Sequence, residues 1–266
     1  MVYISYVAFK IAILGTGNVA WHLARELENA GHIISYVYDR NEEKAKNFCL
    51  DYFNAQYGSS LNLNDVNADI FILAVSDDAI QELSTNISLP SNAILCHTSG
   101  SKPLNELGYA PTENIGVFYP LQTFSKGKKV DFQNIPICIE GENELTLKTL
   151  QKLGKSISKN TLFISSKQRK AIHLAAVFAC NFTNHMFNVA QNILEKQEMD
   201  FEMLQPLIVE TLNKSFDLGP QNAQTGPAIR KDLKTLDLQF EALQEDQDLA
   251  EIYRLISQHI IDSYSN

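Results

Sequence analysis

Lys10-Ile11-Ala12-Ile13-Leu14-Gly15-Thr16-Gly17-Asn18-Val19-Ala20 is the stretch that decides the fold. Its first five residues are a short β-rich run that stops at a glycine. The next six read G-x-G-x-x-A. In such a turn the first glycine makes the tight exit from the strand, the second lets the backbone approach a pyrophosphate, and the small third residue lets helix and strand pack closely. From Asn18 the spacing is helical to residue 30, with Val19, Leu23, Ala24 and Leu27 on one face, and Gly31 stops it. The new helix points unpaired N–H groups and its positive dipole end at the phosphates. G-x-G-x-x-A alone is a weak signal. Here a strand precedes it, a helix follows it, and Ile33–Tyr38 (IISYVY) supplies the second strand, which is the context the motif requires. Gly15, Thr16, Gly17, Asn18 and Val19 are therefore the expected phosphate turn.

Working outward, residues 42–52 read as a helix, and residues 70–75 (IFILAV) as a strand buried on both faces. Residues 93–97, 115–118 and 136–140 are further strand candidates. Strands alternating with helices predict a doubly wound, mostly parallel sheet, a Rossmann domain running from about residue 10 to 162. Near Ser165 the pattern changes. Residues 167–194 form a long, largely apolar helical stretch, and residues 201–216, 228–243 and 248–263 follow with helical periodicity and no convincing strand. The predicted layout is a dinucleotide-binding domain over residues 1–165 and an all-helical domain over residues 166–266.

Asp39 ends the second strand and can take the two ribose hydroxyls of NAD. Arg40 beside it can hold the 2′-phosphate of NADP or stack on adenine. Val75, Ser76 and Asp77 follow a buried strand at the carboxyl edge of the sheet, where ligands of such sheets bind; Asp78 there is either cofactor wall or helix N-cap. His97-Thr98-Ser99-Gly100-Ser101 follows the next strand, and its hydroxyls either face a substrate or form an ordinary Ser/Thr turn. In the long helix, His173 and Asn181 are eight residues apart, about 80° around an ideal axis, so both can border one cleft. Asn184 and His185 extend that side, and Arg169 lies one turn before His173. Polar groups in an apolar helix need partners or a ligand. Thr225-Gly226-Pro227 looks like a loop entering a helix, with Arg230 and Asp232 placed to pair, cap or reach a ligand.

The chain has 266 residues, 45% of them apolar, enough for one large domain or two ordinary ones. A net charge of -9 without a long Lys/Arg run argues against nucleic-acid and anionic-membrane partners. It says nothing against a dinucleotide, whose phosphates can rest on backbone N–H groups. Cys49, Cys96, Cys138 and Cys180 are too scattered for a zinc site, and isolated thiols suit a reducing cytoplasm. MVYISYVAFK lacks the basic start of a signal peptide, and no stretch approaches the roughly 20 apolar residues that span a bilayer. The expectation is a cytoplasmic protein without a metal.

ILGTGNVA, AVSDDAI, CHTSGS, FYPLQTF, HLAAVFACNF and TGPAIRKD occur in this order between residues 13 and 232. Together they resemble the Rossmann-like family often labelled NADP oxidoreductases, which carries a C-terminal domain of unknown function (DUF2520-type). That family looks like a branch of the β-hydroxyacid dehydrogenase and pyrroline-5-carboxylate reductase superfamily. The resemblance implies NADP (or NAD) as cofactor, a helical domain like the 6-phosphogluconate dehydrogenase C-terminal fold, a homodimer, and a cleft between the domains. Two departures stand out. Tyr119 in FYPLQTF occupies a place associated with His, and the catalytic Lys of the hydroxyacid dehydrogenases has no counterpart beside His173 and Asn181. The leading expectation is hydride transfer between nicotinamide and a small keto acid, hydroxy acid or imine. In it His173 moves the proton, and Asn181 and Ser99 orient or polarise the substrate oxygen. A non-catalytic dinucleotide sensor or scaffold is the alternative, and a deazaflavin cofactor a lesser one.

Overall fold

β1 (Lys10–Leu14) lies in the interior of the sheet because its alternate residues face opposite apolar layers, and both layers are dry. Residues 8–265 are described in the computed structural model; the N-terminal stretch read above as no signal peptide falls, through Val7, outside them. The remaining strands are β2 (Ile33–Tyr38), β3 (Gln56–Gly58), β4 (Ile70–Leu73), β5 (Ile94–His97), β6 (Ile115–Pro120), β7 (Ile137–Gly141) and β8 (Thr161–Phe163). They form one eight-stranded sheet in the order β3-β2-β1-β4-β5-β6-β7-β8. Pairing is parallel except between β6 and β7, where Val117 faces Glu140 in antiparallel register. Strand order reverses between β1 and β4, and the crevice at the carboxyl ends of such strands is where these sheets take ligands.

α1 (Asn18–Asn29), α2 (Glu42–Cys49), α3 (Ala79–Asn86) and α4 (Glu144–Ile157) flank the sheet. Ile11 and Ile13 of β1, with Ile70 and Ile72 of β4, join Leu23 and Leu27 of α1 and Leu150 and Leu153 of α4 in one layer. Ala12 and Leu14, with Phe71 and Leu73, join Ile80 and Leu83 of α3 in the other. Each Ile, Leu or Phe buried in this way contributes about 1.5–3 kcal/mol, and the two-sided burial explains why these strands read as unbroken apolar runs.

α5 (Ser166–Ala176) starts on a capping box in which Ser165 accepts from the Gln168 N–H and the Gln168 side chain accepts from the Ser165 N–H. The expected single helix over residues 167–194 is instead interrupted by a π-helical segment, Val177–Phe182, before α6 (Thr183–Glu195). Compactness divides the chain between Asn184 and His185, inside α6. The unit from His185 on contains α7 (Gln205–Leu218), α8 (Pro220–Ala223), α9 (Leu233–Glu241) and α10 (Gln247–Ser263). The helix expected from residue 228 begins only at Leu233. Lys231 at φ 55° holds the preceding turn, and Asp232 caps α9 by accepting from Thr235 N at 3.2 Å.

Candidate active site

The glycine turn has two glycines with different duties. Gly15, at φ 108°, donates its N–H to Tyr38 O at 2.7 Å, and a Cβ on it would lie 2.4 Å from the Ala74 carbonyl oxygen. No residue with a side chain fits there. Gly17 has an ordinary φ of -74°, and a Cβ on it would meet nothing within 4 Å. It is the N-cap of α1, yet no side chain caps that helix and its first turn holds no acid. The first turn of α1 thus offers N–H groups without a side-chain cap at the positive dipole end, an arrangement that suits an anion.

This end of α1 borders a cavity of about 980 Å³, at the upper end for ligand sites. Nine of the ten residues expected to bind cofactor line it: Gly15, Thr16, Gly17, Asn18, Val19, Asp39, Arg40, Val75 and Ser76. Asp39 accepts from the Thr16 hydroxyl at 2.6 Å and from Asn41 N at 3.0 Å. Arg40 stands beside it, and Lys44 of α2 lines the same wall. The Asn18 amide does not face the cavity freely; it donates to Phe124 O at 3.0 Å. Asp77 does not line the cavity; its carboxylate accepts from the Ser101 hydroxyl. Asp78 precedes α3 but makes no side-chain capping bond.

The loop after β5 is locked from within. Ser99 Oγ accepts from Ser101 N at 3.2 Å and Lys102 N at 3.0 Å, so its lone pairs hold the loop. His97 Nδ1 accepts from Ser99 N at 3.1 Å, which leaves Nε2 as the protonated nitrogen beside the Pro103 carbonyl. Burial, with help from Arg169, pushes the His97 pKa down to about 4. Arg169 of α5 is 1% exposed. It donates Nε to Ser99 O at 3.1 Å and Nη1 to Glu140 Oε2 at 2.5 Å, and Nη2 reaches Lys102 O. Glu140, at the end of β7, also accepts from Ser166 Oγ at 2.8 Å. A buried cation so fully partnered is a strut between β7, the loop and α5.

One turn along α5 from this strut, His173 Nδ1 lies 3.2 Å from the Tyr119 hydroxyl of β6, and the rings meet edge to face at 6.1 Å. Gly100 permits the approach: a Cβ there would sit 2.6 Å from His173 Nδ1 and 2.7 Å from Tyr119 Cζ. Burial raises the Tyr119 pKa to about 12, so its hydroxyl keeps its proton. Asn181 is exposed inside the π-helical segment. Such a turn in effect inserts one residue, so Asn181 falls about 20° from His173 around the axis rather than about 80°. Sequence reasoning did not pair Tyr119 with His173 or Arg169 with Glu140, because β6, β7 and α5 meet only in three dimensions. The signals available were a tyrosine and an acid at strand ends beside apolar runs. Among the described residues no cluster of three metal-ligating side chains forms.

Comparisons with known proteins agree with this architecture. A family model described as NADP oxidoreductase, coenzyme F420-dependent, matches residues 10–98, and the domain of unknown function DUF2520 matches residues 135–260. BF3122 from Bacteroides fragilis, named for an inferred NADP oxidoreductase activity, is 38% identical with a TM-score of 0.87 over 96% of this chain and 98% of its own. A reductive aminase from Aspergillus terreus, in complex with NADPH and ethyl levulinate, shares the fold at 15% identity and TM-score 0.73, over 96% of this chain and 93% of its own. So does 1-pyrroline-5-carboxylate reductase from Streptococcus pyogenes, at 14% identity and TM-score 0.62, over 97% and 99%. No curated protein matches the chain.

Proposed function

The chain belongs to the Rossmann-type NADP oxidoreductase family that carries a C-terminal DUF2520 domain, and on that premise we propose that it binds NADP(H) over the first glycine turn and reduces or oxidises a small polar substrate beside His173. The observation that carries this reading is the uncapped, acid-free N-terminus of α1 opening into a dinucleotide-sized cavity. The residues present fit the cofactor. Thr16, Gly17, Asn18 and Val19 receive the pyrophosphate through backbone N–H groups, over the turn that Gly15 makes, its own N–H being held by Tyr38 O. Arg40 and Lys44 favour a 2′-phosphate over a bare ribose, since Asp39 is already engaged by Thr16 and Asn41. Val75 and Ser76 flank the other end.

The nicotinamide supplies or accepts the hydride. The protein's share is the proton. In the reducing direction His173 donates as imidazolium, passing the Nε2 proton to a substrate oxygen or nitrogen and ending as the neutral ring, with its Nδ1–H held against the Tyr119 hydroxyl; in the oxidising direction Nε2 takes that proton back. Asn181, on the same side of the helix, donates its amide to the same substrate atom. Ser99 fixes the loop that follows Thr98 of the cavity lining, and Asp77 holds that loop through Ser101. The substrate class is a keto acid, hydroxy acid or imine.

A homodimer completes the assembly in this reading. Leu174, Phe178 and Phe182 are 49–62% exposed along α5 and the π-helical segment, an apolar stripe that a second copy would cover. No described helix is long and apolar enough to cross a membrane, and all four cysteines are unpaired, which supports a cytoplasmic location. The test is a turnover screen of NADPH and NADH against small keto acids, hydroxy acids and imines, with coenzyme F420 as a further acceptor. Steady-state oxidation of NADPH by one of these classes supports the enzyme. Tight NADPH binding with no turnover across the panel supports a sensor instead.

A further inference from the structure

We propose that Lys126 is a phosphate-binding residue of the dinucleotide site, delivered there by a strap that crosses the glycine turn. The inference rests on the dinucleotide reading above and assigns a side chain to a duty that the G-x-G-x-x-A motif leaves to backbone alone.

The strap is the connection between β6 and β7. Three of its successive residues reach the start of α1. Phe124 O accepts from Asn18 Nδ2 at 3.0 Å, Ser125 O accepts from His22 Nε2 at 2.9 Å, and Lys126 Nζ donates to Thr16 O at 3.0 Å. These partners are 106, 103 and 110 residues apart in sequence, so nothing local dictates their meeting. Phe124 further packs on His22 with ring centroids 4.9 Å apart and stacks on Phe132 at 5.7 Å. Gly127, at φ 85°, then turns the chain away. The ammonium is therefore held at the turn by an anchored backbone rather than by a free side chain.

An ammonium has three donors, and Thr16 takes one. The other two remain for a ligand in the cavity that Lys126 lines. The electrostatics call for them. The lining carries the carboxylates of Asp39, Asp51 and Glu82 against the cations of Arg40, Lys44 and Lys126, and the whole chain is at -9. Arg40 and Lys44 belong to the β2–α2 wall. Lys126 stands at Thr16, between the two motif glycines, where the pyrophosphate lies over the α1 N-terminus. It supplies a countercharge common to NADPH and NADH.

The experiment is a fluorescence titration of the full chain with NADPH and NADH, comparing wild type, Lys126→Ala, Lys126→Arg and the double variant Lys128→Ala/Lys129→Ala. Lys126 is exposed, so its removal leaves the core intact. Lys126→Ala is expected to weaken both cofactors by about tenfold and by the same factor, the loss of one charge-assisted contact. Lys126→Arg and the double variant stay close to wild type, and the wild-type affinity falls more steeply with salt than that of Lys126→Ala. Unchanged binding by Lys126→Ala overturns the inference. So does a loss confined to NADPH, which would put the ammonium on the 2′-phosphate, or an equal loss in the double variant, which would make the effect a general field. Failure of wild type to bind either cofactor overturns the dinucleotide reading itself, a result that is distinct from unchanged binding by Lys126→Ala.

Discussion

Gly17→Val separates the cofactor site from the fold that carries it. The new side chain would enter space where a Cβ meets nothing within 4 Å, at a backbone φ of -74° that valine adopts freely. The folded protein therefore gains no clash. A poorer N-cap costs about 0.5–2 kcal/mol, and the stiffer unfolded chain offsets about 0.4–1 kcal/mol of that. Net stability should stay within about 1 kcal/mol of wild type. The ligand meets a different surface. The branched methyls occupy the approach to the α1 N–H groups and remove about two charge-assisted hydrogen bonds to phosphate, roughly 1.5–3 kcal/mol each, so NADPH affinity should fall by at least about 100-fold. Gly15→Ala is the counterpart. Its Cβ would press to 2.4 Å from Ala74 O at φ 108°, so this variant should lose several kcal/mol of stability, on the order of 3 or more. Thermal unfolding without ligand, paired with an NADPH titration, reads both effects. Wild-type NADPH affinity in Gly17→Val, or destabilisation of it equal to that of Gly15→Ala, would refute the assignment of the two glycines.

Three further outcomes follow from the site. Once a substrate is identified, His173→Gln should lower turnover by about 10²–10⁴ while NADPH affinity changes only a few fold; normal turnover would move the proton to Tyr119. Arg40→Ala should weaken NADPH more than NADH in the same titration, and equal losses would remove its 2′-phosphate role. The depressed pKa of His97 sets an acid limit: the folded state holds this ring neutral down to about 4, while the unfolded chain takes up a proton near 6.5. Stability from this group is thus fully present above pH 6.5 and is lost as pH falls toward 4, by up to about 3 kcal/mol. Urea midpoints that fall between pH 7 and pH 5, with a shallower fall in His97→Gln, would bear this out; identical slopes would not.

The sequence was most readable where structure is set locally. A glycine-rich turn between a strand and a helix carries its own geometric reason, and β1, α1 and β2 stand where their residues predicted them. β3 and β8 have three residues each, too few for any periodicity, and exist because β2 and β7 offer edges to pair with. The antiparallel turn of β7 against β6 is a tertiary choice that leaves no mark in PICIE. The π-helical segment is equally silent, because apolar residues at near-helical spacing suit an α-turn and a π-turn alike. Residues 228–232 read as helix by periodicity, but Lys231 in the left-handed region breaks the helical path there. For the site, His173 was visible as an odd residue in an apolar helix. Its partner Tyr119, 54 residues away, was not, and neither was the 110-residue reach from Lys126 to Thr16.

Trp21 offers the most direct test of the central claim. It is the sole tryptophan of the chain, it sits in the first turn of α1, and it lines the cavity assigned to the dinucleotide. Tryptophan emission overlaps dihydronicotinamide absorption, so a dinucleotide bound there should quench Trp21. Titration of the wild-type protein with NADPH should quench this emission saturably, to one equivalent per chain, and Gly17→Val should abolish the quench. Unquenched Trp21 emission at saturating NADPH, or an undiminished quench in Gly17→Val, would contradict a dinucleotide site over Gly15-Thr16-Gly17.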